Sequence, residues 1–269
     1  MNGPIDLVGV AASLALIVVA IALSAWRKLG LGATITWAAA QAAIQLFAVG
    51  FILVPVLAVD APLGLSFVWV AAMVAIAAET VQRRAPRVRG LRVVALGALG
   101  LSLATGLLVV FGLSILPLEP VAIVPVAGIL VGNTMPSTVL AVSRTVEELE
   151  SRKGEIEAML ALGFSSAEAR RRPLRLAART ALIPQIERTK IVGLVALPGA
   201  MTGLLLAGVD PVDAVAVQLA VMYLILGAVA VSVLVVVVAV AARAFTPDGR
   251  FVPFLPVSVP KADQITDSR

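Results

Sequence analysis

The chain has 269 residues, of which 60% are hydrophobic and 14% charged, with a net charge of +5 and neither Cys nor His. Soluble domains run at about 45–50% apolar and about 25% charged. This composition, with a mean hydropathy of +1.05, therefore excludes an ordinary soluble domain and points to an all-α, polytopic membrane protein. Without Cys or His there are no disulfides, thiolate metal sites or imidazole ligands, and the positive charge is accounted for by membrane lipid without any nucleic acid.

A membrane-spanning helix needs about 20 mostly apolar residues. In chain order seven segments qualify: Ile5–Trp26, Ala33–Leu57, Leu63–Val81, Val93–Leu116, Val121–Ser143, Ile191–Gly208 and Val212–Ala242. The first is preceded by no Lys or Arg and has no small-residue cleavage pattern, so it reads as a retained span and not a secretory signal. Arg27 and Lys28 follow the first span, and Arg83, Arg84, Arg87, Arg89 and Arg92 follow the third. A long charged loop follows the fifth, and Arg243 and Arg250 follow the seventh. The alternate connections hold Asp60, Glu119, Asp210 and Asp213 and no Lys or Arg. Basic residues collect on the cytoplasmic side, which places the N-terminus outside and both the long loop and the C-terminus in the cytoplasm. Residues 1–245 then form one permease domain with the loop at 144–190 inside it. The Pro-rich tail at 246–269 is expected to be irregular.

The loop cannot lie in lipid, since each charge at the centre of a membrane helix costs about 2.5–3.5 kcal/mol. Val146–Leu162 has apolar residues at helical spacing and opposite charges four apart. Gly163 is expected to end that helix, and Ser165 and Glu168 fit a capping box that opens another. Pro173 is expected to end this second, short helix at Arg172 and to begin a third. One reading is a solvated hairpin whose Arg170, Arg171 and Arg172 touch anionic headgroups. The other is a docking element, because Glu157-Ala158-Met159 followed by Gly163 resembles the Glu-Ala-Ala-xxx-Gly loop by which ABC-transporter membrane subunits engage their ATPase.

The two spans beside the loop are interrupted. The fifth carries Gly128, Gly132, Asn133, Thr134, Met135 and Pro136, and the sixth carries Leu197, Pro198, Gly199, Ala200, Met201, Thr202 and Gly203. Each has a G-x-x-x-G, which permits close helix contact. Paired interrupted helices also mark translocation paths. Gly132, Pro136, Pro198, Gly199 and Gly203 are the candidate hinges, and Asn133, Thr134, Met135, Met201 and Thr202 the candidate path residues, with tight packing as the alternative. Other polar residues within spans are Gln41 and Gln45 in the second, Glu79 in the third, and Gln218 and Tyr223 in the seventh. Glu79 and Gln45 are the weaker path candidates, since intramembrane Gln more often bonds a neighbouring helix.

No phosphate loop, nucleophile elbow or His-based metalloprotease motif is present, so the chain reads as a non-enzyme that binds no cofactor itself. The runs Thr180–Pro184, Lys190–Gly203 and Ala207–Pro211, with Ile44-Gln45-Leu46, Gly50, Ala127-Gly128 and Gly132-Asn133 upstream, resemble the FetB-type iron-export ABC permease family. The plant aluminium-sensitivity permeases belong to the same family. The resemblance covers Ala33 to Arg243. It implies a homodimeric seven-span permease in the plasma membrane, paired with a separate cytoplasmic ATPase that consumes the ATP, and iron as the exported substrate. Three departures bear on the substrate: relatives usually carry Met where this chain has Ala200, often a charged group near Gln41, and a Tyr at Val217. Amide, hydroxyl and thioether groups also make a poor site for a bare hard cation, so the metal-binding residues are left unassigned. A chelated metal, a small organic solute such as a sugar nucleotide, and an ATP-independent channel or secondary transporter remain open.

Overall fold

The computed structural model describes residues 7–58, 62–193, 197–246, 248–252 and 254. Its elements are α1 (Leu7–Trp26), α2 (Gly32–Val56), α3 (Leu63–Arg84), α4 (Leu91–Gly112), α5 (Pro120–Ser151), α6 (Lys153–Ala161), α7 (Ser166–Ile191), α8 (Gly199–Leu206) and α9 (Pro211–Ala242). They fall into two compact units that divide after Pro62.

The first unit is a helical hairpin of α1 and α2. Its turn is fixed by the buried Ser24, whose hydroxyl accepts the Leu31 N–H at 3.1 Å. Leu16, Trp37, Ile44, Phe47 and Phe51 stay largely exposed, as lipid-facing residues do. At the turn the Arg27 guanidinium lies 5.1 Å from the centre of the Trp26 ring, an aromatic–basic pairing suited to a membrane–water boundary.

The second unit is organised around α9, which packs on α4, α5, α7 and α8. Ala214, Gln218, Met222, Ile225, Val229, Val233, Val236 and Val240 are buried at spacings of three and four, so a single stripe faces the bundle. Small residues elsewhere in the core (Ala78, Ala95, Ala98, Ala127, Ala141, Ala181) let the helix backbones come close. Buried hydroxyls tie helices together: Ser102 donates to the Ala228 carbonyl at 2.7 Å, and Thr138 and Ser232 share a hydrogen bond of 2.7 Å. One end of the unit is fastened by charge. Arg87 pairs with Glu150 at 2.5 Å, and Arg243 donates to the carbonyls of Arg89 at 2.9 Å and Gly90 at 2.6 Å.

Three sequence expectations give way. α5 runs unbroken from the fifth apolar segment to Ser151, through Pro125 and Pro136, so Gly132 and Pro136 do not interrupt it. The expected loop helix Val146–Leu162 is instead split at Arg152, where α6 begins. α7 likewise continues through Pro173 and Pro184. An interior Pro costs about 3 kcal/mol or more. Here Ala169, Pro173, Ala177, Ala181 and Gln185 form one buried stripe, and this packing holds the helix where local rules would end it.

Five helices, α2, α3, α4, α5 and α9, are long and apolar enough to cross a membrane, and a shorter apolar stretch covers Leu14–Trp26 of α1. The expected sixth span is not one helix. α7 stops at Ile191, Gly193 takes a φ of +89°, and α8 resumes only at Gly199. Leu194–Ala196 lie outside the described residues. Of the expected irregular tail, Phe251 forms an antiparallel bridge and an edge-to-face pair with Phe245 at the end of the preceding domain, and residues 255–269 lie outside the described residues.

A Cβ on Gly106 of α4 would sit 2.5 Å from Cδ1 of the buried Leu130 on α5. Gly106→Val is therefore expected to lower the thermal midpoint in detergent through an overpacking cost of about 1–3 kcal/mol. Gly97→Ala, into open space on the same helix, is expected to be neutral or to stabilise by up to about 1 kcal/mol.

Candidate functional site

Two features stand out: a largely apolar cavity with four polar side chains where the chain breaks between α7 and α8, and a braced turn between α6 and α7.

The cavity has a volume of about 470 Å³ and is walled by α5, the last two turns of α7, the break at Leu197–Ala200, and α9. Asn133 reaches it from α5. Its amide donates to the Ile129 carbonyl at 2.7 Å and accepts from Arg188 of α7 at 3.2 Å. Gln185 of α7 and Gln218 of α9 also line it. Both are buried, and neither the Gln185 Nε2 nor the Gln218 Oε1 has a hydrogen-bond partner among the described residues. A buried polar atom left unpaired costs about 1–3 kcal/mol. Met222 supplies a thioether to the same wall.

The expected path residues are only partly gathered here. Asn133, Pro198 and Gly199 line the cavity. Thr134, one position on, turns into the core with its hydroxyl unpartnered, and Met135 packs against the same core. In α8, which Pro198 caps, Thr202 donates to the Pro198 carbonyl at 3.1 Å and Met201 is half-buried. Neither lines the cavity. Gly203 lies within α8 with open space beside it. Glu79 is held by Arg83 at 2.9 Å and Arg92 at 2.7 Å, where α3 meets α4. Gln45 is exposed on α2, in the first unit. Sequence reading missed Gln185 and Arg188, which lie in the stretch taken for loop. The spacing of four from Ala169 to Gln185 is the signal that places Gln185 on a buried helix face; Arg188 is exposed, beside that face. Among the described residues no group of three or more Asp, Glu, His or Cys could hold a metal ion.

The α6–α7 turn is fixed from both sides. α6 ends in a Schellman motif: the Gly163 N–H donates to Leu160 O at 3.0 Å and the Phe164 N–H to Met159 O at 3.1 Å. Gly163 has a φ of +87°, which a side chain would strain. Ser165 then caps α7, with the capping box complete: Glu168 N–H to Ser165 Oγ at 3.3 Å, and Ser165 N–H to the Glu168 carboxylate at 2.9 Å. The Ser165 hydroxyl, and after it the Ser165 N–H, hold the Glu168 carboxyl below the usual carboxylate range against a smaller opposing effect of desolvation.

Beside the turn, Arg172 pairs with Glu155 at 3.2 Å, Arg152 bridges Glu148 and Glu155, and Lys153 faces Glu157 at 3.6 Å. Arg171 is exposed, Arg170 half-buried, and Ala158 exposed on α6. Beneath, Leu149, Ile156, Ala169, Ala241 and Ala244 form a small core closed by Phe245, Phe251 and Phe254. At the tip Leu162 is 78% exposed and Phe164 47%, an apolar point on a charged, rigid support.

With this geometry in view, the chain was compared with known proteins. A family model described as an uncharacterised protein family, UPF0014, matches residues 7–245. The chain belongs to the UPF0014 family. It is 37% identical over 219 residues to the UPF0014 membrane protein STAR2 of Oryza sativa subsp. japonica, covering 81% of this chain and 76% of that protein. It is 33% identical to the "Probable iron export permease protein FetB" of Escherichia coli K12, covering 80% and 83%. It is 32% identical to the protein ALUMINUM SENSITIVE 3 of Arabidopsis thaliana, covering 81% and 80%. No solved structure matches. This UPF0014 chain is thus a multi-pass membrane protein of a permease family, as the resemblance implied.

Ser165→Ala is expected to cost α7 about 1 kcal/mol at its N-terminus, read as faster amide exchange over residues 166–169. The Glu168 carboxyl is depressed in the folded chain, so its contribution is present above its ordinary titration range and lost as pH falls through the folded value. Exchange in the wild type should therefore rise towards that of the variant only in acid below the usual carboxylate range.

Proposed function

We propose that this chain is the membrane subunit of an ABC exporter in the plasma membrane, acting as a homodimer with two copies of a separate cytoplasmic ATPase, and that iron or an iron complex is its leading substrate. The observation that carries this reading is the α6–α7 turn. A docking helix must deliver force without bending. This turn is fixed by a Schellman motif and a capping box, seated on its own small core, and presents Leu162 and Phe164 to solvent. Glu157, Ala158 and Gly163, which carry the resemblance to ABC coupling loops, lie within it or one turn away.

The seven-span arrangement, with the N-terminus outside, fits the same geometry. α1, α2, α3, α4, α5 and α9 supply six crossings, and the upper part of α7 with the break and α8 supplies a seventh, interrupted one. The contacts of Arg87 with Glu150 and of Arg243 with Arg89 and Gly90 bring the basic connections to one end of the second unit, as the positive-inside rule requires. The family resemblance to an iron export permease supports the substrate class. An ion-coupled carrier would need an intramembrane acid, and the involvement of Glu79 in pairs with Arg83 and Arg92 weighs against it.

A tagged chain purified in mild detergent is expected to bring down a nucleotide-binding subunit with ATPase activity that rises with Fe(II). Gly163→Pro should abolish that recruitment while membrane insertion is unchanged, because proline holds φ near −65° where the turn needs +87°. Normal recruitment by the variant would sink the docking assignment, and a wild-type chain that elutes alone would sink the ABC reading.

A further inference from the structure

We propose that the cavity between α5, α7 and α9 is a binding site for an oxyanion-bearing solute, one whose carboxylate or phosphate group is taken by Arg188 and which also carries a hydroxyl or similar donor. A metal would enter it only as a complex of such a solute. This gives the proposed transport path its substrate class and rests on that reading for its role in export, although binding itself does not depend on it.

The chemistry of the wall decides the class. Among the described residues Arg188, which is exposed, is the one charged residue lining the cavity, and no carboxylate lines it. Among the described residues Arg188 makes no ion pair, since the neighbouring Glu187 is taken by Lys190 at 2.8 Å. Its single described bond is to the Asn133 carbonyl oxygen, and Asn133 is itself anchored to Ile129. A guanidinium has five donors in a fixed fork, which suits planar or tetrahedral oxyanions. Gln185, one turn back on the same helix, and Gln218 of α9 also line the cavity, and the Gln185 Nε2 and Gln218 Oε1 are closed in without a hydrogen-bond partner among the described residues. Both side chains are 5% exposed. A positive charge and two amides in one wall match an anion with a hydroxyl group. They do not match a bare cation, which the guanidinium would repel and for which no carboxylate is at hand. The volume of about 470 Å³ is that of a site for a small organic molecule.

The test is saturable thermal stabilisation of the full chain in detergent by citrate, by tricarballylate (citrate without its hydroxyl), by inorganic phosphate and by Fe(II) alone. The wild type is expected to respond to citrate or phosphate. Arg188→Gln should raise the midpoint concentration about tenfold or more, and Arg188→Lys should recover part of it. Gln218→Met should weaken citrate and leave tricarballylate unchanged, a difference that a general loss of stability would not produce. A response to citrate identifies the carboxylate source, and a response to phosphate alone the phosphate source. No saturable response to any anion, an anion response that Arg188→Gln leaves intact, or a response to Fe(II) only would overturn the proposal. ATPase recruitment by the wild type is read separately: anion binding through Arg188 without a recruited ATPase would remove the exporter reading and leave the site, and recruitment without anion binding would do the reverse.

Discussion

In hydrocarbon no water is available to complete a backbone hydrogen bond, so every N–H and carbonyl must find its partner inside the protein. Much of the second unit follows from that requirement. It explains why α5 remains helical across Pro125 and Pro136: each proline frees a carbonyl one turn back, but ending the helix in the bundle would free several. Side chains supply extra donors around these positions. Asn133 bonds Ile129 O, Thr138 bonds Thr134 O and Thr145 bonds Ala141 O, all on the stretch of α5 that contains Pro136. The same requirement makes the interruption seen among the described residues, after Ile191 and before Gly199, conspicuous. Irregular backbone at membrane depth is tolerated where it lines a cavity, and this break does so.

The two ends of the second unit are built on different physics. At the basic end, ion pairs and backbone-directed arginine bonds bind the α3–α4 connection to α5 and α9, and aromatic rings from the chain beyond α9 close a small core under α6 and α7. At the cavity four polar side chains sit in a mostly apolar wall, and two buried amides each have an atom without a partner among the described residues. A stiff base and an incompletely satisfied interior are what a moving solute requires: the interior must exchange its partners, and the base must not.

Most of the spans were legible because length, apolarity and the sidedness of arginine leave few alternatives. Gly163 and the Ser165–Glu168 box were legible because capping is local chemistry. Pro173 and Pro136 misled for the same reason: a local rule says stop, and only the tertiary stripe Ala169, Pro173, Ala177, Ala181, Gln185 says continue. Arg188 and Gln185 were hidden by density of charge. Arg175, Arg179, Glu187 and Lys190 on other faces of α7 are exposed, which made the whole segment look soluble, while one face of it is core. Met201 and Thr202 were chosen for being polar near a proline. The helix phase of α8 instead turns Gly199 and Ala200 to the cavity.

The continuity of α7 has a mechanical consequence. Ser166 stands at the α6–α7 turn and Arg188 at the cavity, on one uninterrupted helix. At 1.5 Å per residue their separation along the axis is about 33 Å. A lever of that length, rocked by roughly 5° about its lower end, carries its upper end through about 3 Å, the full length of a hydrogen bond such as the one between Arg188 and Asn133. A broken helix would have absorbed such a tilt at the break. In this chain the prolines soften the rod without severing it, so a small rotation at the α6–α7 turn becomes a change of partner at the far end of α7.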